Sequence, residues 1–346
     1  MRPRFSLRTF LITVALFATA FGAFAFWRQN VIDRAQRHLS AMDALELQRG
    51  VMVIKKPHEN SSYNNFVRKW IHPRAFEVTE RVCASKSFWT PQNLKRLKDL
   101  NGLSNITCSF DRLTRRDAEE LCAIPQLVSL YIQFKESEEG AADLLASKTT
   151  LKQLTLGGKC GPAFFQALNA HPNLTHLRLR ESPMTKEDVQ AVASIPHLSE
   201  FTTFVGIESD SLPILLTTKL KLLVAPVRNL DAGALADLSN SQVEQLYLTS
   251  PVFPAGTLAS AAKTPKLREL ALNGELELAP GEFESLSECK NLERLELRSV
   301  WLTKEQWEVV TALPKLTHLM ARSAESAEGC ATKFLDSNPK RRVNEN

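Results

Sequence analysis

A repeating unit of about 24 residues constrains the fold of this chain more than any other feature of its sequence. An apolar residue recurs in the frame L-x-x-L-x-L through eleven units, and 31 of the 33 marked positions carry Ala, Val, Ile, Leu, Met, Phe or Cys. A chain with 44% hydrophobic residues would supply about 15 of these by chance. The units begin at Thr79, Leu103, Leu127, Leu151, Leu174, Leu198, Leu220, Val243, Leu267, Leu292 and Leu316.

Alternation along each frame predicts a short strand whose positions 4 and 6 point inward and whose positions 3, 5 and 7 point outward. Apolar residues at helical spacing follow the strands, as in Val189, Val192 and Ala193. A unit of one strand and one helix cannot bury its apolar face alone, so the units must stack. The prediction is an α/β leucine-rich-repeat solenoid of about 11 repeats, a right-handed horseshoe of the ribonuclease-inhibitor type with a parallel sheet on its concave side.

Local signals refine this prediction in three places. Thr185 and Thr303 precede acidic first turns and are expected to cap helices. Pro213 is expected to break the helix of its unit and to make that unit irregular. Arg341 stands where the next core leucine would fall, 25 residues after Leu316, so the stack is predicted to end before it.

The N-terminus contains an uncharged apolar stretch of 19 residues from Thr9 to Trp27. As a helix it would be roughly 29 Å long, close to the hydrocarbon thickness of a bilayer. We therefore predict one transmembrane helix before the repeats, with the membrane contacted through Thr9 to Trp27. A cleaved secretory signal is the alternative, because Ala23-Phe24-Ala25 is an acceptable cleavage site and cleavage would follow Ala25.

Basic residues concentrate in the same region. Residues 1–100 hold 17 Lys and Arg against 7 Asp and Glu, whereas residues 101–346 hold 26 against 31. The acidic balance of the repeats argues against a nucleic-acid partner, and basic residues beside an apolar span suit anionic lipid headgroups. The expected location is the cell membrane, as a single-pass protein with the repeats on the extracytoplasmic side.

Four segments follow from these patterns. Residues 1–28 are predicted to be the anchor, and residues 29–75 a helix, a linker and an N-terminal cap that begins at Phe66–Ile71. Residues 76–337 are predicted to be the solenoid and residues 338–346 a polar tail.

The beginning of the chain resembles a known group of proteins. The phrase RFSLRT (Arg4–Thr9), an apolar span, a basic helix, a strand at Gly50-Val51 and 24-residue repeats together resemble the membrane-anchored leucine-rich-repeat proteins of planctomycete-type bacteria. The resemblance covers essentially the whole chain, and RFSLRT is its most specific element. It implies a horseshoe on a single membrane helix without catalytic residues.

Catalytic and metal-binding motifs of the usual kinds are absent from the sequence. Gly157-Gly158-Lys159 lacks the spacing of a phosphate loop and is interpreted as a turn. The cysteines have no metal-ligand spacing, and Cys108 and Cys122 fall at core positions. We predict no enzyme activity, no cofactor and no metal.

The predicted concave face is the candidate binding surface. Glu269 with Arg294, and His176 with Glu200, are expected to pair across strands, whereas Arg298 beside Arg322 should repel. An apolar patch is expected near Phe204. Aromatic residues and Arg dominate binding hot spots, so the predicted contacts are Tyr131, Arg178, Arg180, Phe204, Tyr247, Arg294, Arg298 and Arg322.

These features favour a non-catalytic scaffold, tethered to the membrane, that binds another protein or an envelope polymer through its concave face. The alternative is a structural envelope protein that acts by self-association.

Overall fold

A computed structural model describes residues 7–46, 51–56, 78–84, 86–323 and 342–344. The chain divides into two compact units. The first comprises residues 1–108 and 123–127, and the second residues 109–122 and 128–346.

The first unit contains a long helix and three strands. Strand β1 is antiparallel to β2, and β2 is parallel to β3 with Arg81 opposite Asn105. Its elements are α1 (Leu7–Glu46), β1 (Val51–Lys56), β2 (Val78–Ala84), a 3₁₀ turn (Lys86–Phe88), α2 (Pro91–Leu97) and β3 (Asn105–Ser109).

Helix α1 is continuous through the segment predicted as an anchor and the helix predicted after it. Its C-terminal half is packed, since Ala35, Met42 and Leu45 are buried. His38 is also buried, and its Nδ1 accepts a hydrogen bond of 3.1 Å from the backbone N–H of Asn101.

Within the described residues, no helix is both long enough and apolar enough to cross a membrane. The transmembrane helix predicted at Thr9 to Trp27 is thus not supported by the structure. The cap predicted to begin at Phe66–Ile71 lies outside the described residues.

The second unit repeats a strand and a helical segment. Its strands are β4 (Arg112–Leu113), β5 (Ser129–Gln133), β6 (Glu136–Ser137), β7 (Gln153–Gly157), β8 (His176–Leu179), β9 (Glu200–Thr203), β10 (Ile207–Glu208), β11 (Leu222–Arg228), β12 (Gln245–Phe253), β13 (Glu269–Leu276), β14 (Arg294–Leu302), β15 (His318–Ser323) and β16 (Arg342–Asn344). Its α-helices are α3 (Arg115–Cys122), α4 (Ala141–Ser147), α5 (Pro162–Leu168), α6 (Lys186–Ala193), α7 (Leu212–Leu216), α8 (Thr257–Ala262), α9 (Glu282–Ser285) and α10 (Lys304–Thr311). Its 3₁₀ segments are Ser209–Ser211, Ala232–Asn240 and Leu286–Glu288.

One parallel sheet runs through this unit in the order β5-β7-β8-β9-β11-β12-β13-β14-β15-β16. Strands β5 to β15 of this sheet all begin at frame position 3, as the repeat predicted. Side chains at positions 4 and 6 are buried, for example Leu130 and Ile132 on β5. The parallel sheet of an α/β repeat fold is therefore confirmed.

The helical segments follow their local signals closely. Thr185 and Thr303 cap α6 and α10, and each forms the reciprocal bonds of a capping box with Asp188 and Gln306. Pro213 does not break its helix but lies in the first turn of α7, where its missing N–H has no helical acceptor to lose. The irregularity takes another form, because α7 has only five residues and follows a 3₁₀ turn.

The sheet does not end at β15. Residues Arg342–Asn344 form β16, parallel to β15, with His318 opposite Arg342. The end predicted before Arg341 is therefore wrong by one strand. The spacing from β15 to β16 is 24 residues, which places Val343 at position 4 opposite Leu319, and backbone pairing does not require a leucine at position 1.

Candidate binding face

The open sheet face is defined here by the residues at frame positions 3, 5 and 7 of β5 to β15. The register aligns position 3 of every neighbouring strand from Ser129 on β5 to His318 on β15. Position 5 aligns in the same way from Tyr131 to Met320. Residues that are about 24 apart in sequence are therefore neighbours in rows on this surface.

An aromatic–arginine cluster, formed by Tyr131, Arg180 and Phe204, lies at one end of this face. The guanidinium carbon of Arg180 is 5.7 Å from the ring centroid of Tyr131 and 5.8 Å from that of Phe204. An Nη1 hydrogen of Arg180 also bonds the Tyr131 hydroxyl at 3.3 Å. Contacts of this kind stabilise exposed sites by about 0.5–1 kcal/mol each. They hold the guanidinium in place without neutralising its charge.

Gly157 makes this cluster possible. It occupies position 7 of β7, between the strands that carry Tyr131 and Arg180. A Cβ at this position would lie 3.6 Å from the Tyr131 hydroxyl and 3.4 Å from Cγ of Gln133. A larger side chain would occupy the space through which Arg180 reaches Tyr131.

Arg178 is in β8 and Arg180 directly follows the strand, and both side chains are exposed. Its neighbours across the sheet are Thr155 and Thr202. Neither Arg178 nor Arg180 forms an ion pair with any residue that the structure describes. The C-terminal end of β8 therefore presents the positive charges of Arg178 and Arg180 without counterions among the described residues.

His176, at position 3 of the same strand, has a partner. Its Nε2 lies 3.0 Å from a carboxylate oxygen of Glu200, so this predicted cross-strand pair is confirmed.

The predicted pair of Glu269 and Arg294 is not formed, although the two residues are opposite each other. Glu269 accepts hydrogen bonds from the side chains of Gln245, at 2.8 Å, and Tyr247. Burial raises the pKa of Tyr247, and the bond to the carboxylate of Glu269 raises it further. The phenol therefore remains a hydrogen-bond donor and is already engaged.

Glu296 forms ion pairs with Arg294 and Arg298 instead. It is only 2% exposed, and its carboxylate binds the guanidinium groups of Arg294 and of Arg298, the latter at 3.3 Å. Burial alone would raise the pKa of Glu296, but the two arginines hold it below its usual value. The prediction that Arg298 lies beside Arg322 is also wrong, because a register shift after Glu296 places Trp301 opposite Arg322.

The middle of the face is apolar, as predicted. Phe204 is 56% exposed, and Leu222, Val224 and Pro226 are each half-buried. The short helix α7 of this repeat does not bury the patch. The patch adjoins the aromatic–arginine cluster at Phe204.

Other chemistry is sparse in the part of the chain that the structure describes. No group of three or more His, Cys, Asp or Glu there could hold a metal ion, and the five described cysteines are all free. Burial raises the pKa of Cys122 to about 11 and that of Cys160 to about 12, so these thiols remain protonated. At Gly158 an added Cβ would collide with the carbonyl oxygen of Phe134, which agrees with a structural turn.

Among the predicted contacts, the structure brings Tyr131, Arg180 and Phe204 together and leaves Arg178 beside them. It separates Tyr247, Arg294 and Arg298, which belong to the network around Glu269 and Glu296. Arg322 is in β15, with its side chain outside the described residues. The burial of Glu296 and the role of Gly157 were not predicted, although a glycine at frame position 7 beside Arg180 is visible in the sequence.

Comparison with known proteins gives similarity to solved structures alone. No family model matches the chain, and none of the curated proteins matches it. An internalin from Listeria monocytogenes aligns with 81% of this chain and 92% of its own, at 16% identity and a TM-score of 0.45.

Two further structures are similar to it at the same 16% identity. The leucine-rich-repeat ectodomain of the Arabidopsis thaliana receptor kinase GASSHO1/SCHENGEN3, in complex with CASPARIAN STRIP INTEGRITY FACTOR 2, aligns with 66% of this chain and 31% of its own, with a TM-score of 0.40. TLR13 in complex with ssRNA13 aligns with 74% of this chain and 37% of its own, with a TM-score of 0.42.

Proposed function

We propose that this chain is a non-catalytic leucine-rich-repeat scaffold, tethered to the cell membrane, that binds another protein through its open sheet face. The observation that carries the proposal is the exposed aromatic–arginine cluster beside Arg178 and the apolar patch. Arginine and aromatic side chains that combine charge with apolar area are the usual anchors of protein interfaces. An exposed apolar patch next to them extends the same surface.

The location on the sheet also favours binding over a purely structural role. The half of the face around Glu269 and Glu296 satisfies its charges internally, whereas the half around β8 does not. Unsatisfied charge beside an apolar surface costs little in water and gains interactions when a complementary surface arrives.

The tether rests on the sequence from Thr9 to Trp27 and on the surface of α1. Four aromatic side chains of this helix point into solvent, namely Phe17, Phe21, Phe24 and Phe26. An apolar helix surface of this kind is unfavourable in water and favourable in lipid. The proposed arrangement keeps the N-terminus in the cytoplasm and exports the repeats.

A reporter that is active only outside the cytoplasm, fused after Asn346, tests the tether. We expect an active, full-length fusion in the membrane fraction. An active but shortened product would indicate cleavage near Ala25 and a secreted binder. An inactive fusion would contradict the export of the repeats.

Capture from an envelope extract tests the binding function. Full-length chain is immobilised as wild type, as a face variant with Arg178→Glu, Arg180→Glu and Phe204→Ser, and as a control variant. The control reverses the charge of Lys263 and Lys290, which are exposed at the ends of helical segments. We expect the wild type and the control variant to capture proteins that the face variant does not capture.

The same material tests the alternative of self-association. If the face variant and the control capture the same proteins and the purified wild-type chain forms larger species as its concentration rises, the structural role is correct and the binding role is not.

A further inference from the structure

Resting on the proposed function, we infer that the partner presents an extended acidic segment to Arg178 and Arg180. Its carboxylates would stand two residues apart and each would meet one guanidinium group. Such a segment would bind the half of the open sheet face around β8.

First, the arginines on or near this face differ in whether a carboxylate already pairs with them. Arg294 and Arg298 share the buried carboxylate of Glu296, and Arg228, just beyond the face, lies 3.5 Å from Glu208. Arg178 and Arg180 form no ion pair within the described residues. An anionic ligand would therefore gain most at β8, where no existing pair has to be broken.

The second step is spacing. Alternate residues of a strand point to the same side and lie about 6.5–7 Å apart. Arg178 is in β8 and Arg180 directly follows the strand, where its N–H still bonds the carbonyl of Leu156 at 2.9 Å, so the two side chains keep this spacing. Acidic side chains at alternate positions of an extended segment have it as well. A segment that lies along β8 can therefore bind both guanidinium groups at once, each in the bidentate manner that suits a carboxylate.

The third step is preorganisation. Arg180 is already held between the rings of Tyr131 and Phe204, so little side-chain entropy remains to be lost when a carboxylate binds it. Thr155 and Thr202 flank Arg178 across the sheet. Their hydroxyl groups form no hydrogen bond with a described residue and can donate to the same carboxylate.

The fourth step distinguishes a short acidic segment from a long polyanion. Residues 101–346 carry 26 Lys and Arg against 31 Asp and Glu, and Glu181 directly follows Arg180 while Glu200 begins the neighbouring strand β9. A uniformly charged polymer would extend over the exposed carboxylate of Glu181 and over the acidic surface around it and be repelled. A protein segment places its charges only at β8 and can offer an apolar side chain to Phe204.

Fluorescence polarisation with a labelled peptide of alternating Glu and Ala tests the inference, with alternating Gln and Ala as the matched probe. We expect the full-length chain to bind the acidic peptide, and more weakly as salt rises. Arg178→Ala and Arg180→Ala should each lower the affinity by roughly tenfold, because charge-assisted bonds are the strong ones. Arg298→Ala, on the same face but paired with Glu296, should retain it.

Thermal unfolding by circular dichroism confirms that each variant is folded, which is expected because both arginines are exposed. Equal affinity for the two peptides, or no loss in the Arg178→Ala, Arg180→Ala double variant, would overturn the inference. Binding of an anionic polysaccharide such as alginate at these arginines, without binding of the peptide, would overturn it too.

Failure of the inference is distinguishable from failure of the proposed function. If the peptide does not bind but the face variant still loses proteins from the envelope extract, the acidic segment is wrong and the binding face stands. If the peptide does not bind and the face variant captures the same proteins as the control, both are wrong.

Discussion

Single residues decide how the open sheet face is divided. Glu296 neutralises Arg294 and Arg298, whereas Arg180 is held by the two rings of Tyr131 and Phe204 and keeps its charge. Both arrangements use arginines at outward frame positions, on β14 in the first case and directly after β8 in the second. The difference lies in one buried carboxylate, which neutralises the arginines of one half of the face and leaves those of the other half charged.

Gly157 offers a direct test of the aromatic–arginine cluster. A Cβ there meets only ordinary contacts, so Gly157→Ala should leave binding unchanged and alter the free energy of unfolding by no more than about 1 kcal/mol. Gly157→Leu should fill the gap between Tyr131 and Arg180 and weaken capture of the partner, because the guanidinium is no longer held. Equal capture by the two variants would contradict a role for the cluster.

His171 predicts how stability depends on pH. It is fully buried, its Nδ1 accepts a hydrogen bond from the N–H of Asn173, and its Nε2 has no partner among the described residues. Burial lowers the pKa of His171 below its ordinary 6.5. In the unfolded chain the imidazole binds a proton more readily, so the free energy of unfolding should fall as the pH drops below about 6.5.

Denaturant unfolding at several pH values between about 5 and 7 measures this effect. His171→Asn removes the titration and should give a flatter profile than the wild type. Parallel profiles for wild type and His171→Asn would show that the imidazole does not contribute.

At the scale of elements, the strands were predictable and their connections were predictable only in part. Positions 4 and 6 of the frames are apolar, Thr203 excepted, for one physical reason, the core. The sequence therefore located the first residue of each strand of the main sheet from β5 to β15. The connections are satisfied by different means in different units, with an α-helix at Lys186–Ala193 and a 3₁₀ segment at Ala232–Asn240. No single pattern distinguishes these solutions in advance.

Two errors have the same origin. The register shift that places Trp301 opposite Arg322, and the extra strand at Arg342–Asn344, both follow from backbone hydrogen bonding. The pattern of apolar side chains gives no information on backbone hydrogen bonds. For the same reason the rows near position 3 were predicted correctly, while the contacts beyond position 6 of β14 were not.

The capping box of α6 gives a prediction at this scale. The Thr185 hydroxyl accepts a hydrogen bond from the N–H of Asp188, and the buried carboxylate of Asp188 accepts bonds from the N–H and the hydroxyl of Thr185. Thr185→Ala should therefore lower the free energy of unfolding by about 1–2 kcal/mol.

Thr185→Ser is the matched control for this measurement, because a serine hydroxyl can form the same bonds. Chemical denaturation should place it within about 0.5 kcal/mol of the wild type. A loss in Thr185→Ser as large as in Thr185→Ala would mean that the methyl group and not the cap is responsible.

At the scale of the whole molecule, the repeat predicted the fold class and the arrangement of the rows on the face. It could not predict which residues in a row would neutralise one another, because Glu296 looks the same in sequence whether it is buried or exposed. The predicted contacts stay a prediction, and the proposed binding surface uses four of them, Tyr131, Arg178, Arg180 and Phe204.

Photo-crosslinking in the cell tests the central claim, binding through the open sheet face, most directly. A photoreactive phenylalanine analogue is placed at Phe204 on the face, and separately at Gln190 and Glu308, which are exposed on α6 and α10. The account predicts a crosslink from Phe204 to a different protein, lost when Arg178 and Arg180 are replaced by Glu, and no such crosslink from Gln190 or Glu308. Crosslinks of equal yield from all three positions, or crosslinks from the helices alone, would contradict it.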